Sequence, residues 1–474
     1  MKVLWVTNTS CSSAEKTGGN NGTGGWLAAL EKEVKNDIDL EIAFLSNGQT
    51  QDDFIYNGVA YHPIAPFRSR SYTVFRLKRL FMSWDRQDMV ILQRLEEIIR
   101  ECRPDILHIH GTEKCFGLIY ERMGGENGCI ITDGKRIPVV ISIQGIVQEI
   151  VSRYFTGIPE AEVRRHESIC SRLSKQSLIR RYRQLVHQAG NEARFLRYTR
   201  FIIGRTEWDR KKSAGYNPDR IYFHVGEIMR PEFYYGRHGA ESNGTADEGN
   251  PESGKQRLRL ITTFSDGLYK GYELLLKTAA ELKKRGVDYI WTVIGYSPDT
   301  DIVPLSEKVT GLSSARLDVR FCGKLDAGSI VKELSAADIY CQVSHIENSP
   351  NGLCEALLLG LPAIATNVGG TATVSNNGIS ALLVPDTSPA AYCNAIVCLA
   401  SSSSKIISGE GSRAAALIHH DPKRIKKQLT EAYKEILDTA DKPETLTEKT
   451  GAISGAGISR QENISSRNDN ENCI

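Results

Sequence analysis

The sequence predicts an α/β protein made of two Rossmann-like, doubly wound domains. Three observations carry this. Residues 258–366 alternate apolar runs with amphipathic helical stretches, the pattern of a parallel sheet covered by helices on both faces. The chain opens on a short apolar run, 3–6 (VLWV), followed by a glycine-rich loop and a helix near Trp26, the unit that lets backbone approach a phosphate. A polar segment rich in Gly, Ser, Asn and acids, 237–257, separates two halves of a chain whose 474 residues suffice for two domains.

Taken in order, the first half holds strands at 3–6 and 39–45, then a buried strand, DILHIH, ending at His110. His108 and His110 fall on one face of it by strand alternation. A strand at 139–143 closes in Gln144-Gly145, and strands at 201–204 and 221–225 complete the domain over 1–236. The glycine loop, TSCSSAEKTGGNNGTGG, is not a P-loop, because no Gly-Lys-Ser/Thr follows. It does not fit G-x-G-x-x-G either, because Leu27 stands where the last glycine should be. By itself it fits an exposed surface loop equally well. The second half, 258–421, has strands at 258–264, 289–294, 319–322, 339–343 and 362–366. Residues 423–438 (KRIKKQLTEAYKEILD) form an amphipathic helix within 422–440. The Ser/Gly/Asn/Glu-rich stretch 441–474 reads as a disordered tail.

Composition excludes several classes. A net charge of +2 argues against bulk attraction to nucleic acid, and no apolar run reaches the roughly 20 residues that span a bilayer. The polar turn after the first strand comes too soon for a signal-peptide core. Eleven scattered cysteines without C-x-x-C pairs point to free thiols in a reducing, cytoplasmic setting. No histidine falls in a metal-binding motif, so no metal is expected. The positive charge is uneven: 1–236 carries 34 basic and 28 acidic residues, the remainder 25 and 29. The basic, aromatic stretch 67–86 and the helical region 151–200 hold most of the surplus. They could meet an anionic membrane surface or form an ordinary solvated face.

The stretch 344–370, SHIENSPNGLCEALLLGLPAIATNVGG, carries the chemistry. Ser349-Pro350 marks a helix start, with Ser349 as cap and Pro350 first in the helix. Glu347 then lies in the preceding loop and Glu355 more than one turn inside. The rise per residue separates the pair by roughly 10 Å. Glycosidases that retain configuration hold their carboxyl pair at about 5 Å. The wider spacing suits gripping two ends of a long polar ligand. The free N–H groups of Asn351, Gly352 and Leu353 would face its middle, where a phosphate is welcome. Lys270-Gly271, at a helix start in the same half, is a second phosphate-type site by charge and dipole. A nucleotide sugar has this layout.

The E-x7-E spacing, the glycine turn between, and the following G-x-P and Gly369-Gly370 resemble the family-4 retaining glycosyltransferases of the GT-B fold. In that fold two facing Rossmann-like domains enclose an interdomain cleft. The resemblance implies that Glu347 contacts the donor sugar and Glu355 the ribose. It implies that Gly24 and Gly25 approach the donor diphosphate, that Lys270 binds it, and that His110 reaches the sugar near the reacting centre. Gln144 stands where the family often has His, so an acceptor-orienting role is the most it could have. The family's diphosphate arginine, before Lys-Gly, is absent; Phe264 and Ser265 occupy its region, and Arg205 of the facing domain is a candidate substitute. The resemblance further implies a nucleotide-sugar donor, a glycan or lipid-linked acceptor in cell-surface polysaccharide synthesis, no cofactor, and a cytoplasmic location, peripheral on the membrane. A GT-B epimerase, a phosphorylase-like enzyme, or a non-catalytic nucleotide-sugar-binding scaffold are the alternatives.

Overall fold

A computed structural model describes residues 1–17, 25–46, 52–66, 82–167, 177–239, 257–401 and 409–440. Gly24, residues 67–81 of the basic stretch, most of 237–257 and the tail 441–474 lie outside the described residues.

The first sheet contains β1 (Lys2–Thr7), β2 (Asp39–Leu45), β3 (Phe54–Tyr56), β4 (Val59–Ile64), β5 (Ile106–His110), β6 (Cys129–Thr132), β7 (Lys135–Ser142), β8 (Phe201–Gly204) and β9 (Ile221–His224). Its order is β3-β4-β2-β1-β5-β7-β8-β9, with β6 hydrogen-bonded to β7. All neighbours run parallel except β3 with β4 and β6 with β7. The second sheet holds β10 (Leu258–Thr263), β11 (Tyr289–Ile294), β12 (Val319–Gly323), β13 (Ile339–Gln342), β14 (Ala363–Thr366) and β15 (Leu382–Val384). It is parallel throughout, in the order β12-β11-β10-β13-β14-β15. Both sheets reverse direction of winding at one point, between β1 and β5 in the first and between β10 and β13 in the second. The crevice beyond the carboxyl ends of strands at such a point is where open α/β sheets bind ligands.

β3, β4 and β6 were not expected from the alternation of apolar runs. Two antiparallel hairpins account for them, β3–β4 and β6–β7. Their two-residue turns are Asn57-Gly58 (φ 49° and 81°) and Asp133-Gly134 (φ 48° and 78°), left-handed pairs that Asn-Gly and Asp-Gly adopt readily.

The helices that position the cleft are α1 (Gly25–Val34), α2 (Trp84–Cys102), α3 (Val147–Arg153), α4 (Glu160–His166), α5 (Leu178–Leu196), α6 (Glu207–Tyr216), α7 (Tyr272–Lys284), α8 (Asn351–Leu359) and α9 (Pro422–Ala440). Trp84, near the end of the basic stretch, opens α2, with Ser83 as its cap. The fully buried Tyr154, Ile158, Val163 and Leu178 pack into the core of the second lobe, although they precede the last strands of the first.

Helix α9 runs the other way. Its apolar stripe, Ile425, Leu429, Tyr433 and Ile436, is buried in the first lobe beside Trp5 and Val140. Trp5 Nε1 donates to the Tyr433 hydroxyl at 2.9 Å, and that hydroxyl lies 2.6 Å from His108 Nδ1. His108 Nε2 sits 2.6 Å from Ser142 Oγ. Burial lowers the His108 pKa to about 3, so the ring is neutral. Tyr433 then donates to Nδ1, and Nε2–H donates to Ser142. The chain therefore crosses between lobes twice, after β9 and before α9. The crossings are tied together: the Tyr234 hydroxyl donates to the His420 carbonyl at 2.7 Å, and the His420 ring meets the Glu227 carbonyl at 2.7 Å.

Tyr433→Phe removes one hydroxyl and strands two buried partners, the Trp5 N–H and His108 Nδ1. An unsatisfied buried polar group costs about 1–3 kcal/mol. Urea unfolding of the variant is expected to show a loss of about 2 kcal/mol; an unchanged midpoint would mean that the three-residue chain contributes nothing.

Candidate functional site

Both winding reversals open onto one cleft. On the second lobe, a 3₁₀ turn, Leu268–Lys270, leads into α7. Gly271 has φ 79°, and a Cβ there would stand 2.0 Å from the Val343 carbonyl oxygen. Only glycine lets this turn press against the end of β13, and that is what sets Lys270 beside Glu347. Lys270 Nζ meets Glu347 Oε1 at 2.6 Å, and Ser344 Oγ donates to the same oxygen at 2.8 Å. Burial pulls the Lys270 pKa down, but the Glu347 carboxylate outweighs it and leaves the ammonium above its usual value.

Gly369-Gly370 has an equally direct cause. A Cβ on Gly369 (φ 54°) would lie 1.8 Å from the Glu347 carbonyl oxygen, and one on Gly370 would lie 2.1 Å from that of Asn348. The Gly370 N–H donates to the Glu347 carbonyl at 2.9 Å. The pair of glycines thus seats the acidic loop.

Helix α8 begins one residue later than the sequence suggests. Pro350, extended at φ −70° and ψ 106°, takes the cap position without a side-chain cap bond, and Asn351 is the first helical residue. The Pro350 carbonyl accepts from Leu353 at 3.0 Å and from Cys354 at 3.1 Å. Leu353, expected to offer a free N–H, is therefore committed to the helix, and its side chain is in the core. Asn351 and Gly352 remain in the first turn, where N–H groups have no intrahelical carbonyl. A Cβ on Gly352 would strike Thr263 Oγ1 at 2.1 Å and the Tyr340 hydroxyl at 2.3 Å, so this glycine also lets the helix sit close on the sheet.

Glu355, on the next turn of α8, is buried and paired with Arg230, whose Nε and Nη2 reach Oε1 at 2.8 and 2.6 Å. Burial raises its pKa to about 7, with Arg230 opposing the rise. Arg230 comes from the crossing after β9 and was not singled out in the sequence. Its neighbour Pro231 opens a short helix there, Pro231–Tyr235. The Arg230 stem packs 3.1 Å from where a Cβ on Gly25 would be, which brings the start of α1 to the Arg230–Glu355 pair.

On the first lobe, His110 ends β5. Its ring lies 3.8 Å from that of His108, 4.6 Å from Trp5 and 6.0 Å from Trp26. It is 1% exposed, and neither ring nitrogen has a hydrogen-bond partner. Burial first, then the neighbouring His108 and the charge of Arg205, holds its pKa well below the usual histidine value. A buried neutral imidazole with both nitrogens unpaired is an exception to the rule that buried polar groups are hydrogen-bonded. Arg205 stacks over Trp26 at 4.3 Å and pairs with buried Glu227 at 2.8 Å.

The lobes are latched by Asn348, another residue that the sequence did not mark. Thr206 Oγ1 donates to its Oδ1 at 2.6 Å, and its Nδ2 donates to Asp209 Oδ2 at 2.9 Å. Thr206 and Asp209 form the capping box of α6, a local signature that could have flagged this end of the cleft. The Gln144 carbonyl also accepts from Asn348 Nδ2, at 3.4 Å. The contact is made by the Gln144 backbone. Its loop is anchored by buried Glu192, which accepts from the N–H groups of Val147 and Gln148, each at 3.0 Å. Thr112 Oγ1 lies 2.5 Å from Glu192 Oε1 and 2.8 Å from the Gly145 carbonyl. Among the described residues, one group has metal-ligand types, Glu41, His62 and Cys102. Lys2 and Asp53 already pair with it, at the end of the first sheet away from the cleft.

Two parallel-sheet lobes, each presenting its winding reversal to a shared cleft, make this a GT-B fold. Residues 258–402 match the family model described as Glycosyl transferases group 1, which bears out a glycosyltransferase resemblance over the second lobe. No curated protein matches the sequence. Among solved structures, sucrose-phosphate synthase from Thermosynechococcus elongatus is similar at 13% identity and TM-score 0.66, covering 93% of this chain and 100% of its own. Anabaena HepE in complex with UDP and glucose is similar at 14% identity and TM-score 0.58, covering 92% and 99%. A trehalose-6-phosphate synthase, studied for glycosyl transfer with retention, is similar at 12% identity and TM-score 0.58, covering 92% and 99%.

The anchoring of the Gln144 loop has a pH signature. Burial, against the hydrogen bonds from Thr112, Gln148 and Val147, raises the Glu192 pKa from 4.5 to about 7. As pH rises from 4.5 to 7 the unfolded chain releases this proton while the folded one keeps it. Stability is therefore full below that window and falls through it, by up to about 3 kcal/mol for this group. In Glu192→Gln the difference in unfolding free energy between pH 5 and pH 8, read by urea titration, is expected to shrink by an amount of that order.

Proposed function

We propose that the protein is a retaining glycosyltransferase that moves a sugar, of hexose type, from a nucleotide-sugar donor to a hydroxyl of a glycan or lipid-linked acceptor. The observation that carries this reading is the row of groups along the cleft wall. Lys270 and Glu347 lie at one end, the open N–H groups of Asn351 and Gly352 in the middle, and Glu355 with Arg230 at the other. The row matches sugar, diphosphate and ribose in that order. The family match over the second lobe and the retaining trehalose-6-phosphate synthase among the structural neighbours support it.

In this reading the diphosphate takes over Lys270 from Glu347. Glu347 is then free to hold sugar hydroxyls, while the α8 amides and Lys270 stabilise the charge on the leaving group. The acceptor oxygen forms its bond to the anomeric carbon on the face from which the diphosphate oxygen departs. The acceptor proton passes to that departing oxygen. Neutral His110 hydrogen-bonds the sugar, and Glu355 accepts from the ribose hydroxyls. Gly25 lets the start of α1 approach the donor, and the Gln144 loop borders the acceptor side. Protein cations and backbone dipoles do the electrostatic work, so the reaction needs no metal. The proposal includes synthesis of cell-surface polysaccharide, on the family resemblance alone. It also includes a cytoplasmic, peripheral association with an anionic membrane, for which exposed Arg183 and Arg197 on and beside α5 are two available cations. No helix among the described residues is long and apolar enough to cross a membrane.

A thermal-shift screen of nucleotide sugars tests the donor assignment, since a ligand bound only by the folded state raises the melting temperature. One nucleotide sugar is expected to raise it by several degrees. Glu355→Gln should weaken that ligand about tenfold, equivalent to about 1.4 kcal/mol. Glu347→Ala should still bind nucleotide and show no transfer. Full sugar transfer by Glu347→Ala would remove Glu347 from the mechanism.

A further inference from the structure

Three polar side chains on the first lobe have no part in donor binding as described above. Asn8 and Thr9 follow β1, and Glu113 follows β5, so they share the winding reversal with His110. Asn8 Oδ1 and Thr9 Oγ1 are closed off from solvent and have no hydrogen-bond partner, as is also true of both His110 nitrogens. Asn8 Nδ2 donates to Glu113 Oε2 at 3.2 Å. Both side chains fold over Gly111 (φ 100°), where a Cβ would meet Glu113 Oε2 at 2.2 Å and Asn8 Nδ2 at 3.3 Å. Any side chain at 111 would fill this cradle. The Glu113 carboxyl is pushed up in pKa by burial, and it acts electrostatically on Tyr269 of the second lobe, the residue before Lys270. It therefore lies within electrostatic reach of the turn that carries Lys270.

The chemistry of the cradle is one-sided. A carboxylate and an orphan amide oxygen accept hydrogen bonds, and the Thr9 hydroxyl can do either. A ligand that satisfies them must bring several O–H donors. A phosphate or carboxylate there would bring further acceptors and a negative charge against Glu113.

We propose that Asn8, Thr9 and Glu113 form the subsite for the acceptor's reacting sugar ring, and that this subsite takes a neutral polyol and rejects a phosphorylated one. The inference rests on the donor reading above and extends it to the opposite wall. It makes Glu113 and Asn8 determinants of acceptor specificity.

The test uses the full chain saturated with UDP, or with GDP if that gives the larger thermal shift. Binding of glucose, galactose and mannose is read by saturation-transfer difference NMR, beside glucose 6-phosphate. At least one neutral hexose is expected to show saturation transfer, and glucose 6-phosphate none. Glu113→Gln and Asn8→Ala should each reduce the hexose signal at least fivefold while keeping the parent's nucleotide-induced thermal shift, which also shows that each variant is folded. The proposal is overturned if the variants bind the hexose as the parent does, if glucose 6-phosphate binds in preference, or if no neutral hexose binds the nucleotide-loaded chain. Absence of any nucleotide-induced shift in the parent would instead overturn the donor reading.

Discussion

The contact between Lys270 and Glu347 is the constraint around which the cleft is arranged. Two opposite charges, each about 15% exposed, are held 2.6 Å apart where solvent reaches them poorly. Desolvation makes such pairs expensive, and removing one partner strands the other. Several features of the second lobe serve this geometry. Gly271 lets the 3₁₀ turn close on β13, Ser344 supplies a second hydrogen bond to the carboxylate, and Gly369-Gly370 makes room for the loop that carries it. In the proposed function such a pair would exchange partners, the donor diphosphate satisfying the lysine and releasing the acid for the sugar.

The same logic recurs one turn into α8. Glu355 would be a lone buried acid without Arg230, and Arg230 reaches it only because the crossing after β9 runs beside α1. Each end of the cleft wall is thus a buried acid paired with a buried cation, with open helix amides between them. At one end both partners come from the second lobe. At the other, the cation comes from the crossing between lobes, so that end of the wall is complete only when the crossing is in place.

Much of this was legible in the sequence, and the reasons are physical. The alternation of strand and helix in the second half follows from local periodicity. Lys270-Gly271, Glu347, Glu355 and Gly369-Gly370 stand out because backbone collisions permit nothing larger than glycine at positions fixed relative to the acids. The hairpins at Asn57-Gly58 and Asp133-Gly134 carried an equally local signal, but their flanking strands are short and interrupt the α/β rhythm. Other features lay beyond reach. Arg230 meets Glu355 across 125 positions of chain, and Asn348 meets Thr206 across 142. Such pairs depend on how the lobes dock, which no local pattern encodes. Leu353 was misjudged for a smaller reason: one residue of error in the helix start decides which amides are free.

The two crossings between lobes, joined through Tyr234, His420 and Glu227, have a mechanical consequence. A single flexible linker would act as a ball joint and let one lobe swivel freely over the other. Two antiparallel passes of chain fastened side by side leave less freedom. Together with the Asn348 contacts to Thr206 and Asp209 and the first-lobe residues Tyr154, Ile158, Val163 and Leu178 in the second-lobe core, they tie one lobe to the other at several separate places.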